Sequence, residues 1–359
     1  MDHLKSIAGR FATEAPVESI RPLGAGLIND TYLAATAEGT PDYVLQRINT
    51  NIFTDPAGLQ GNIVAVTRHL ASKLPADADP SRRVLTPVAL KDDPGLTYLV
   101  DDNGEVWRMT RFISDAYTFD TVNPHYARHA GRAFGEFEAQ LTDIKEDLVE
   151  TIPNFHNMEF RLEQLREAIA ADAAGRLEPT REIADKLLDA AERMTAAERM
   201  HREGRLPKRI CHCDTKVNNM LFDADGRVLC VIDLDTVMPS FVFSDFGDFL
   251  RTAANTGAED AADLSSVSFD LDIFRAFAEG YIESAGKFLT ATEREMLPFA
   301  ATLFPYMQAV RFYTDYLNGD TYYKINGPEH NLTRTLAQMR LWEDAEAKLP
   351  QMREIIASC

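Results

Sequence analysis

The chain has 359 residues, of which 45% are hydrophobic and 26% are charged, and its formal net charge is −19. This length favours two domains or lobes, and the excess of acidic groups argues against a nucleic-acid partner, which would bind clustered Lys and Arg. A small phosphorylated ligand is still allowed, because surface charges are screened beyond about 8 Å at physiological salt. No stretch reaches the roughly 18 apolar residues of a membrane span. The N-terminus also lacks the apolar core of a signal peptide, so a cytoplasmic location is predicted.

The first 110 or so residues predict a small sheet with one main helix. Leu4, Ile7 and Phe11 recur at helical spacing, and two β-rich runs at 32–35 and 43–48 flank the turn signal "AEGTPD". Apolar residues recur every three or four positions over 56–74, which indicates a helix. The segment "LTYLVDDNGEVWRMTRFI" predicts a hairpin that turns at residues 102–104.

From Asn123 onward the pattern becomes helical. The expected helices are one that starts at Asn123-Pro124, a long charged helix over 180–203, and others over about 270–285, 291–317 and 328–348. Short strands interrupt them near residue 210. The chain is therefore predicted to be α+β, with a small β-rich lobe, a larger mainly helical lobe and a cleft between them.

Between residues 210 and 236 the sequence "ICHCDTKVNNMLFDADGRVLCVIDLDT" gathers thiols, a histidine and several acids. Zinc is disfavoured, because alternating residues on an extended segment point to opposite faces and structural zinc sites favour wider cysteine spacing. Cys211, Cys213 and Cys230 are expected to be small buried side chains instead. With Cys359 they make only four cysteines, too few for a disulfide framework in a chain of this size.

The same stretch predicts a hairpin that turns at Asp225-Gly226. The returning strand would bring Asp233 beside Asn219, with Asp214 on the loop just before. Carboxylate and amide oxygens are the ligands that suit Mg²⁺. An Asp next to such a metal site can accept a proton from a hydroxyl nucleophile. The spacing therefore predicts phosphoryl transfer.

The pattern His212-x-Asp214-x-x-x-x-Asn219, followed by Ile232-Asp233, resembles the signature of the aminoglycoside phosphotransferase and choline kinase family. The resemblance implies a two-lobed protein-kinase-like fold that uses ATP and Mg²⁺. It makes Asp214 the catalytic base and Asn219 and Asp233 the metal ligands, with His212 as a support of the loop.

Two further acids follow the predicted metal ligand. Asp245 lies in a literal Asp-Phe-Gly, but the resemblance gives it a structural role, opening a helix and bracing the catalytic loop. Asp235 is expected to share the strand face of Asp233 if the strand continues. It would then contact a metal through water or remain a solvated acid.

The small lobe also resembles the family. "LGAGLINDTY" resembles its phosphate-covering loop, in which Gly24 and Gly26 would let backbone amides approach the nucleotide. Gln46 occupies the position where the family usually carries an ATP-pairing Lys, and Arg47 would face the opposite side of the sheet. The adenine-binding hinge is expected at 109–115, through Arg111, Phe112 and Ile113. The lobes would then be 1–108 and 116–359.

A longer likeness, from "LQRINTNIF" through "VIDLDTVMP" to "PEHNLTRT", is to the bacterial N-acetylhexosamine 1-kinases. It implies phosphorylation of the anomeric hydroxyl of GlcNAc or GalNAc, so a small sugar and ATP are the expected partners, and no obligate protein partner is evident. Arg311, Asp315, Tyr316 and Tyr322 suit a neutral polyol. They also fit a helix core in which Arg311 and Asp315 merely pair with each other.

Alternative functions stay open at this point. Within the same family the acceptor could be choline, homoserine, methylthioribose or an aminoglycoside. A nucleotide-binding scaffold without catalysis is a further alternative, suggested by the missing Lys and by the lack of an obvious partner Glu on the following helix. Asp214, Asn219 and Asp233 together argue against a scaffold, because a scaffold has no use for a base.

Overall fold

The structure is a computed structural model, and it describes residues 2–24, 28–119 and 122–359. The chain forms two compact units, each assembled from three stretches of sequence. The first unit contains Met1–Thr118, Gln140–Pro153 and Asn219–Pro239. The second unit contains Phe119–Ala139, Asn154–Asn218 and Ser240–Cys359.

A five-stranded antiparallel sheet forms the centre of the first unit, with strand order β1-β2-β3-β5-β4. The strands are β1 Ser19–Pro22, β2 Asp30–Ala35, β3 Tyr43–Ile48, β4 Tyr98–Val100 and β5 Val106–Arg111. Gly104, with φ of +78°, provides the left-handed residue that the β4–β5 turn requires. The predicted hairpin and strands are confirmed.

Two helices pack apolar faces within this unit. Helix α1 (Asp2–Ala8) contributes Ile7 to a core that includes Leu45 and Trp107 of the sheet. Helix α2 (Pro56–Lys73) begins after Asp55, whose carboxylate accepts a hydrogen bond from the Gly58 amide at 2.9 Å. The helix predicted at 56–74 is thus confirmed almost to the residue. A short helix α3 spans Pro80–Arg83.

Helices dominate the rest of the chain, so the predicted α+β class is confirmed, with an antiparallel sheet in the N-terminal region and helices in the C-terminal region. They are α4 Pro124–Leu141, α5 Met158–Ala171, α6 Arg181–Asp189, α7 Ala191–Met194, α8 Ala196–Arg202, α9 Phe243–Ala253, α10 Leu271–Ala285, α11 Ala291–Leu317, α12 His330–Ala347 and α13 Leu349–Ser358. The short strands are β6 Arg209–Cys211, β7 Met220–Phe222, β8 Val228–Val231 and β9 Met238–Ser240. Within the described ranges, none of these helices is long and apolar enough to cross a membrane.

The long helix predicted over 180–203 is wrong, because α6, α7 and α8 replace it. Breaks fall at Ala190, with ψ of −11°, and at Thr195, with ψ of 13°. The Thr195 hydroxyl donates to the Ala191 carbonyl at 3.1 Å, which is the local competition that disfavours Thr inside helices. Helix α5 was not predicted at all.

Helices α4 and α10 of the second unit approach closely through glycines. A Cβ at Gly131 would lie 2.2 Å from the Phe277 carbonyl oxygen, and a Cβ at Gly280 would lie 2.0 Å from the Arg128 carbonyl oxygen. Both positions face backbone, which cannot move aside as a flexible side chain can. The two glycines therefore set how closely these helices pack.

Replacing Gly131 by Ala is expected to lower the free energy of unfolding by about 1–3 kcal/mol, because the new methyl group overpacks the α4–α10 contact. Urea unfolding would measure the loss. Gly61→Ala in α2 is the matched control, since a Cβ there meets nothing within 4 Å. The control should stabilise the protein by about 0.4–1 kcal/mol. Equal effects of the two substitutions would contradict the packing argument.

Candidate active site

The hairpin that was predicted to bring Asn219 and Asp233 together is present in the first unit. Strands β7 and β8 pair antiparallel, Met220 opposite Val231, and Gly226 in the turn has φ of +76°. The Ile232 amide donates to the Asn219 carbonyl at 2.9 Å, which brings the chain at Asn219 and the chain just before Asp233 together at the open end of the hairpin. Asp214 precedes Asn219 by five residues in the chain but belongs to the second unit.

Asp235 departs from its prediction. Asp233 has a left-handed backbone, with φ of +59°, and a 3₁₀ turn at Leu234–Thr236 follows it, so the strand does not continue and the two acids do not share a strand face. Asp235 is buried, and Arg108 forms an ion pair with it, Nη1 to Oδ1, at 2.5 Å. It is therefore neither a solvated acid nor an open metal ligand.

In the second unit, Asp245 holds the loop that carries Asp214. Asp245 lies in the first turn of α9, where a negative charge is favoured by the helix dipole. Its carboxylate accepts hydrogen bonds from the amides of His212 at 2.8 Å and Cys213 at 2.7 Å. Its carbonyl accepts a further bond from the Thr215 hydroxyl at 2.7 Å. These contacts fix the backbone on both sides of Asp214.

The His212 ring lies in the same core and does not reach solvent. Phe134 and Phe137 of α4 flank it at centroid distances of 5.8 and 5.9 Å. Its Nδ1 accepts a hydrogen bond from the Asp214 amide at 3.3 Å. The ring is thus placed to support the loop rather than to perform chemistry.

A pair of buried acids lies behind this loop. Glu138 and Asp245 approach Cys211, and the ligand atoms of the three groups lie within 4.8 Å of one another. Burial raises the pKa of Asp245, and burial together with the charge of Asp245 raises the pKa of Glu138 well above its usual range. Tyr281 donates its hydroxyl proton to Glu138. Asp245 is committed to two amides and Glu138 to Tyr281, so a proton shared between the acids explains the cluster better than a metal ion does.

This cluster predicts a pH dependence of stability. The native state holds the Glu138 proton to higher pH than the unfolded chain does, so wild-type stability should fall as pH rises above the unfolded pKa of about 4.5. Glu138→Gln mimics the protonated group, and its stability relative to wild type should therefore rise with pH, by at most about 1.4 kcal/mol per unit. Urea unfolding at pH 5 to 8 would measure this.

Glu283→Gln on α10 is the control, because Arg132 lowers the pKa of Glu283 and this side chain stays ionised throughout that pH range. Parallel pH curves for wild type and Glu138→Gln would show that Glu138 is already ionised in the native state, and would contradict the shared proton.

The residues predicted to bind nucleotide lie on the five-stranded sheet or next to its strands, and Phe112 and Ile113 directly follow β5. Gly24 has φ of +69°, a conformation that suits glycine, while Gly26 lies outside the described residues. The Arg111 amide donates to the Thr86 carbonyl and the Phe112 amide to the Asp42 carbonyl, each at 2.9 Å. These two amides are thus already used within the protein. Ile113 is buried.

Gln46 of β3 bridges its neighbouring strands. Its Nε2 donates to the Thr31 hydroxyl at 3.1 Å, and its Oε1 accepts from Nε of Arg108 at 2.9 Å. Thr31 and Arg108 lie opposite Gln46 on β2 and β5. The side chain is therefore part of a polar row across one face of the sheet.

The predicted sugar-contact residues divide into two groups. Asp315 is buried and accepts hydrogen bonds from the amides of Thr321, Tyr322 and Tyr323 at 2.8–3.0 Å. It therefore shapes the loop after α11. Tyr316 is also buried, with the Arg176 guanidinium 4.5 Å from its ring centroid.

Arg311 and Tyr322 are more available. Arg311 does not pair with Asp315 in the described contacts but donates to Gln308 at 3.2 Å. Its guanidinium lies over the rings of Phe155, at 5.5 Å, and Tyr323, at 5.7 Å. Tyr322 is 62% exposed. An arginine beside aromatic faces can hydrogen-bond a polar ligand while its rings contact apolar surface.

Comparison with known proteins identifies the group to which the chain belongs. The sequence model of the phosphotransferase enzyme family matches residues 19–299, which is most of the chain. The chain belongs to the phosphotransferase enzyme family. Asp245, which holds the loop that carries Asp214, and the β7–β8 hairpin that follows Asn219 both lie within the matched residues.

Solved structures show the same fold at low sequence identity. An aminoglycoside phosphotransferase from Alicyclobacillus acidocaldarius subsp. acidocaldarius DSM 446 is 15% identical, with 99% of this chain and 96% of that chain covered and a TM-score of 0.64. A choline/ethanolamine kinase family protein from Mesorhizobium loti is 16% identical, with both chains covered fully and a TM-score of 0.59. A spectinomycin phosphotransferase in complex with ADP and spectinomycin is 12% identical, with 99% and 97% covered and a TM-score of 0.54.

Two charged residues of this phosphotransferase near its predicted site were not singled out from the sequence. Lys216 pairs with Asp214, Nζ to Oδ1, at 2.6 Å. Burial lowers the pKa of Lys216, but the charges of Asp214 and Asp248 more than offset this, so its pKa is raised and the group stays cationic. The sequence did contain a signal for this pair, because Lys216 lies only two residues after Asp214. Arg108 had no such signal, because its partner Asp235 is distant in sequence.

Proposed function

We propose that this phosphotransferase is an ATP-dependent kinase that phosphorylates the anomeric hydroxyl of N-acetylhexosamines, GlcNAc or GalNAc. The observation that carries the phosphoryl-transfer part is Asp214, paired with Lys216 on a loop whose amides Asp245 holds. The ADP named in the spectinomycin phosphotransferase structure supports ATP as the donor. The acceptor rests on the sequence likeness to the hexosamine kinases and on the polar and aromatic groups around Arg311.

Asp214 would accept the proton of the sugar hydroxyl as the hydroxyl oxygen bonds to the γ-phosphorus. The bond between that phosphorus and the bridging oxygen would break, and ADP would leave with the electron pair. The Lys216 ammonium is placed to orient the Asp214 carboxylate and to offset negative charge. The amide oxygen of Asn219 and the carboxylate of Asp233 are hard donors that fit Mg²⁺. A bound Mg²⁺ would neutralise charge on the ATP phosphates.

The nucleotide would lie along the segment with Gly24 and Gly26, beside Gln46. The proposed hinge is 109–115, between lobes 1–108 and 116–359. The amides of Arg111 and Phe112 are engaged within the protein, as are the carbonyls of Met109, Ser114 and Asp115. We therefore propose that the Phe112 carbonyl and the backbone of Ile113 meet the adenine.

The acceptor site would use Arg311 to bind hydroxyl or acetamido oxygens and the exposed Tyr322 ring to contact the sugar face. Asp315 and Tyr316 would act indirectly, because both are buried and Asp315 holds the loop that presents Tyr322. Choline is the less favoured acceptor, since the Arg311 guanidinium over Phe155 and Tyr323 occupies the aromatic faces that a quaternary ammonium needs.

Phosphorus-31 NMR after incubation with ATP, Mg²⁺ and GlcNAc tests the proposal. A new phosphate ester signal coupled to the anomeric proton is expected, with GalNAc and choline run in parallel. Consumption of ATP with choline but with neither sugar would overturn the acceptor. Intact ATP with all three acceptors would overturn the N-acetylhexosamine assignment and leave the other acceptors of the family, or a nucleotide-binding scaffold.

A further inference from the structure

A buried ion pair involves Asp235, two residues after the predicted metal ligand Asp233. The Arg108 guanidinium contacts both oxygens of Asp235: Nη2 donates a hydrogen bond to Oδ2 at 2.9 Å, and Nη1 lies 2.5 Å from Oδ1 as an ion pair without hydrogen-bond geometry. Both side chains are about 95% buried, at 5% and 6% exposure. One hydrogen bond together with a second close ionic contact restricts the orientation of the carboxylate as well as its position.

The side of the Arg108 guanidinium that faces away from Asp235 is held by the sheet. Its Nε donates to Gln46 at 2.9 Å, and Gln46 in turn donates to Thr31 at 3.1 Å. The guanidinium is therefore held by β3 while its far edge holds Asp235. A chain of contacts through β2, β3 and β5 thus ends at the Asp235 carboxylate, which lies outside the sheet.

Asp235 also binds Asn29, which follows Gly24 and Gly26 in the chain. Asn29 donates from Nδ2 to Oδ2 of Asp235 at 2.7 Å, and its own Oδ1 accepts from the Asn49 amide at 2.9 Å. Asn62 of α2 donates to the Val237 carbonyl at 2.9 Å. The turn after Asp233 is thereby fixed by Asn29, by Arg108 of the sheet and by Asn62 of α2.

That turn needs fixing because Asp233 has φ of +59°, a left-handed conformation that costs a non-glycine residue free energy. We infer that Arg108 and Asp235 form a positioning pair, which holds the 3₁₀ turn at Leu234–Thr236 and so presents the Asp233 carboxylate to Mg²⁺. This inference rests on the proposed metal role of Asn219 and Asp233. Asp235 acts here through the backbone and is not itself a ligand.

The test is the Mg²⁺ concentration that gives half of the metal-dependent rise in Tm of the ADP-bound protein. The double variant Arg108→Met with Asp235→Leu removes both charges together, so no charge is left unpaired. Gln46 and Asn29 each lose one hydrogen bond, so its metal-free Tm should fall modestly while the fold is kept. Loss of such supporting contacts typically weakens metal affinity by about 10- to 100-fold, and the half-maximal Mg²⁺ concentration should rise by that factor. An unchanged concentration would overturn the inference.

The control is Arg47→Met with Asp30→Leu, which removes an exposed ion pair from β3 and β2 on the opposite face of the sheet. It should leave the Mg²⁺ dependence unchanged, and an equal shift would overturn the positioning role by showing a general weakening of the sheet. Should the double variant not fold, Arg108→Lys gives the same comparison, since Lys keeps the charge but has one nitrogen in place of the three of the guanidinium that contact Gln46 and Asp235. Absence of any Mg²⁺ effect in wild type would instead defeat the proposed metal site itself.

Discussion

Replacing Asp214 by Asn is expected to lower kcat by about 10²- to 10⁴-fold, the range for loss of a general base. The amide has nearly the same shape but cannot take the hydroxyl proton. ATP binding should change little, because Asp214 is not among the groups proposed to bind the nucleotide. Single-turnover kinetics with GlcNAc, together with calorimetric titration of ADP, would separate the two effects.

Asp225→Asn is the matched control, an exposed acid in the turn of the same hairpin region, and it should leave kcat unchanged. A large rise in the ADP dissociation constant of Asp214→Asn would mean that the substitution disturbs the loop, through the broken ion pair with Lys216. Unchanged turnover would remove Asp214 from the role of base.

Local sequence patterns predicted much of the fold. Helix α2 and the 27 residues of α11 were predicted closely, α2 from its periodic apolar residues. The structure adds the caps of their first turns, Asp55 and Thr290. The β7–β8 hairpin was predicted because apolar runs flank Asp225-Gly226. The break at Ala190 was missed, since alanine carries no signal against helix and the division of α6 from α7 depends on tertiary packing.

Around the candidate site, the sequence predicted the local geometry only where the residues are close in sequence. Asn219 and Asp233 are one hairpin apart, and the geometry of a hairpin can be read from its turn. Asp235 was misjudged because its partner Arg108 is 127 positions away, and a buried pair of that separation leaves no periodic trace. Asp315 is a similar case, since its hydrogen bonds go to amides of a loop whose path the sequence does not specify.

Replacing Asp245 by Ala is expected to lower the free energy of unfolding by about 2–6 kcal/mol, because two amides lose their acceptor and each buried unpaired group costs about 1–3 kcal/mol. The residues that carry these amides, His212 and Cys213, are almost completely buried, so water does not readily replace the carboxylate. Turnover should fall as well, because the loop that presents Asp214 loses its brace.

Urea unfolding and kcat should be measured on Asp245→Ala and on Asp245→Asn side by side. Asn keeps one oxygen acceptor, so one of the two amides stays paired and the loss of stability should be about half that of Ala. Equal losses for Asn and Ala would show that the second oxygen, or the proton shared with Glu138, carries the whole effect. A fully stable Ala variant with low turnover would instead place Asp245 in the chemistry, as the metal ligand that its Asp-Phe-Gly sequence suggests, and would displace Asp233 from that role.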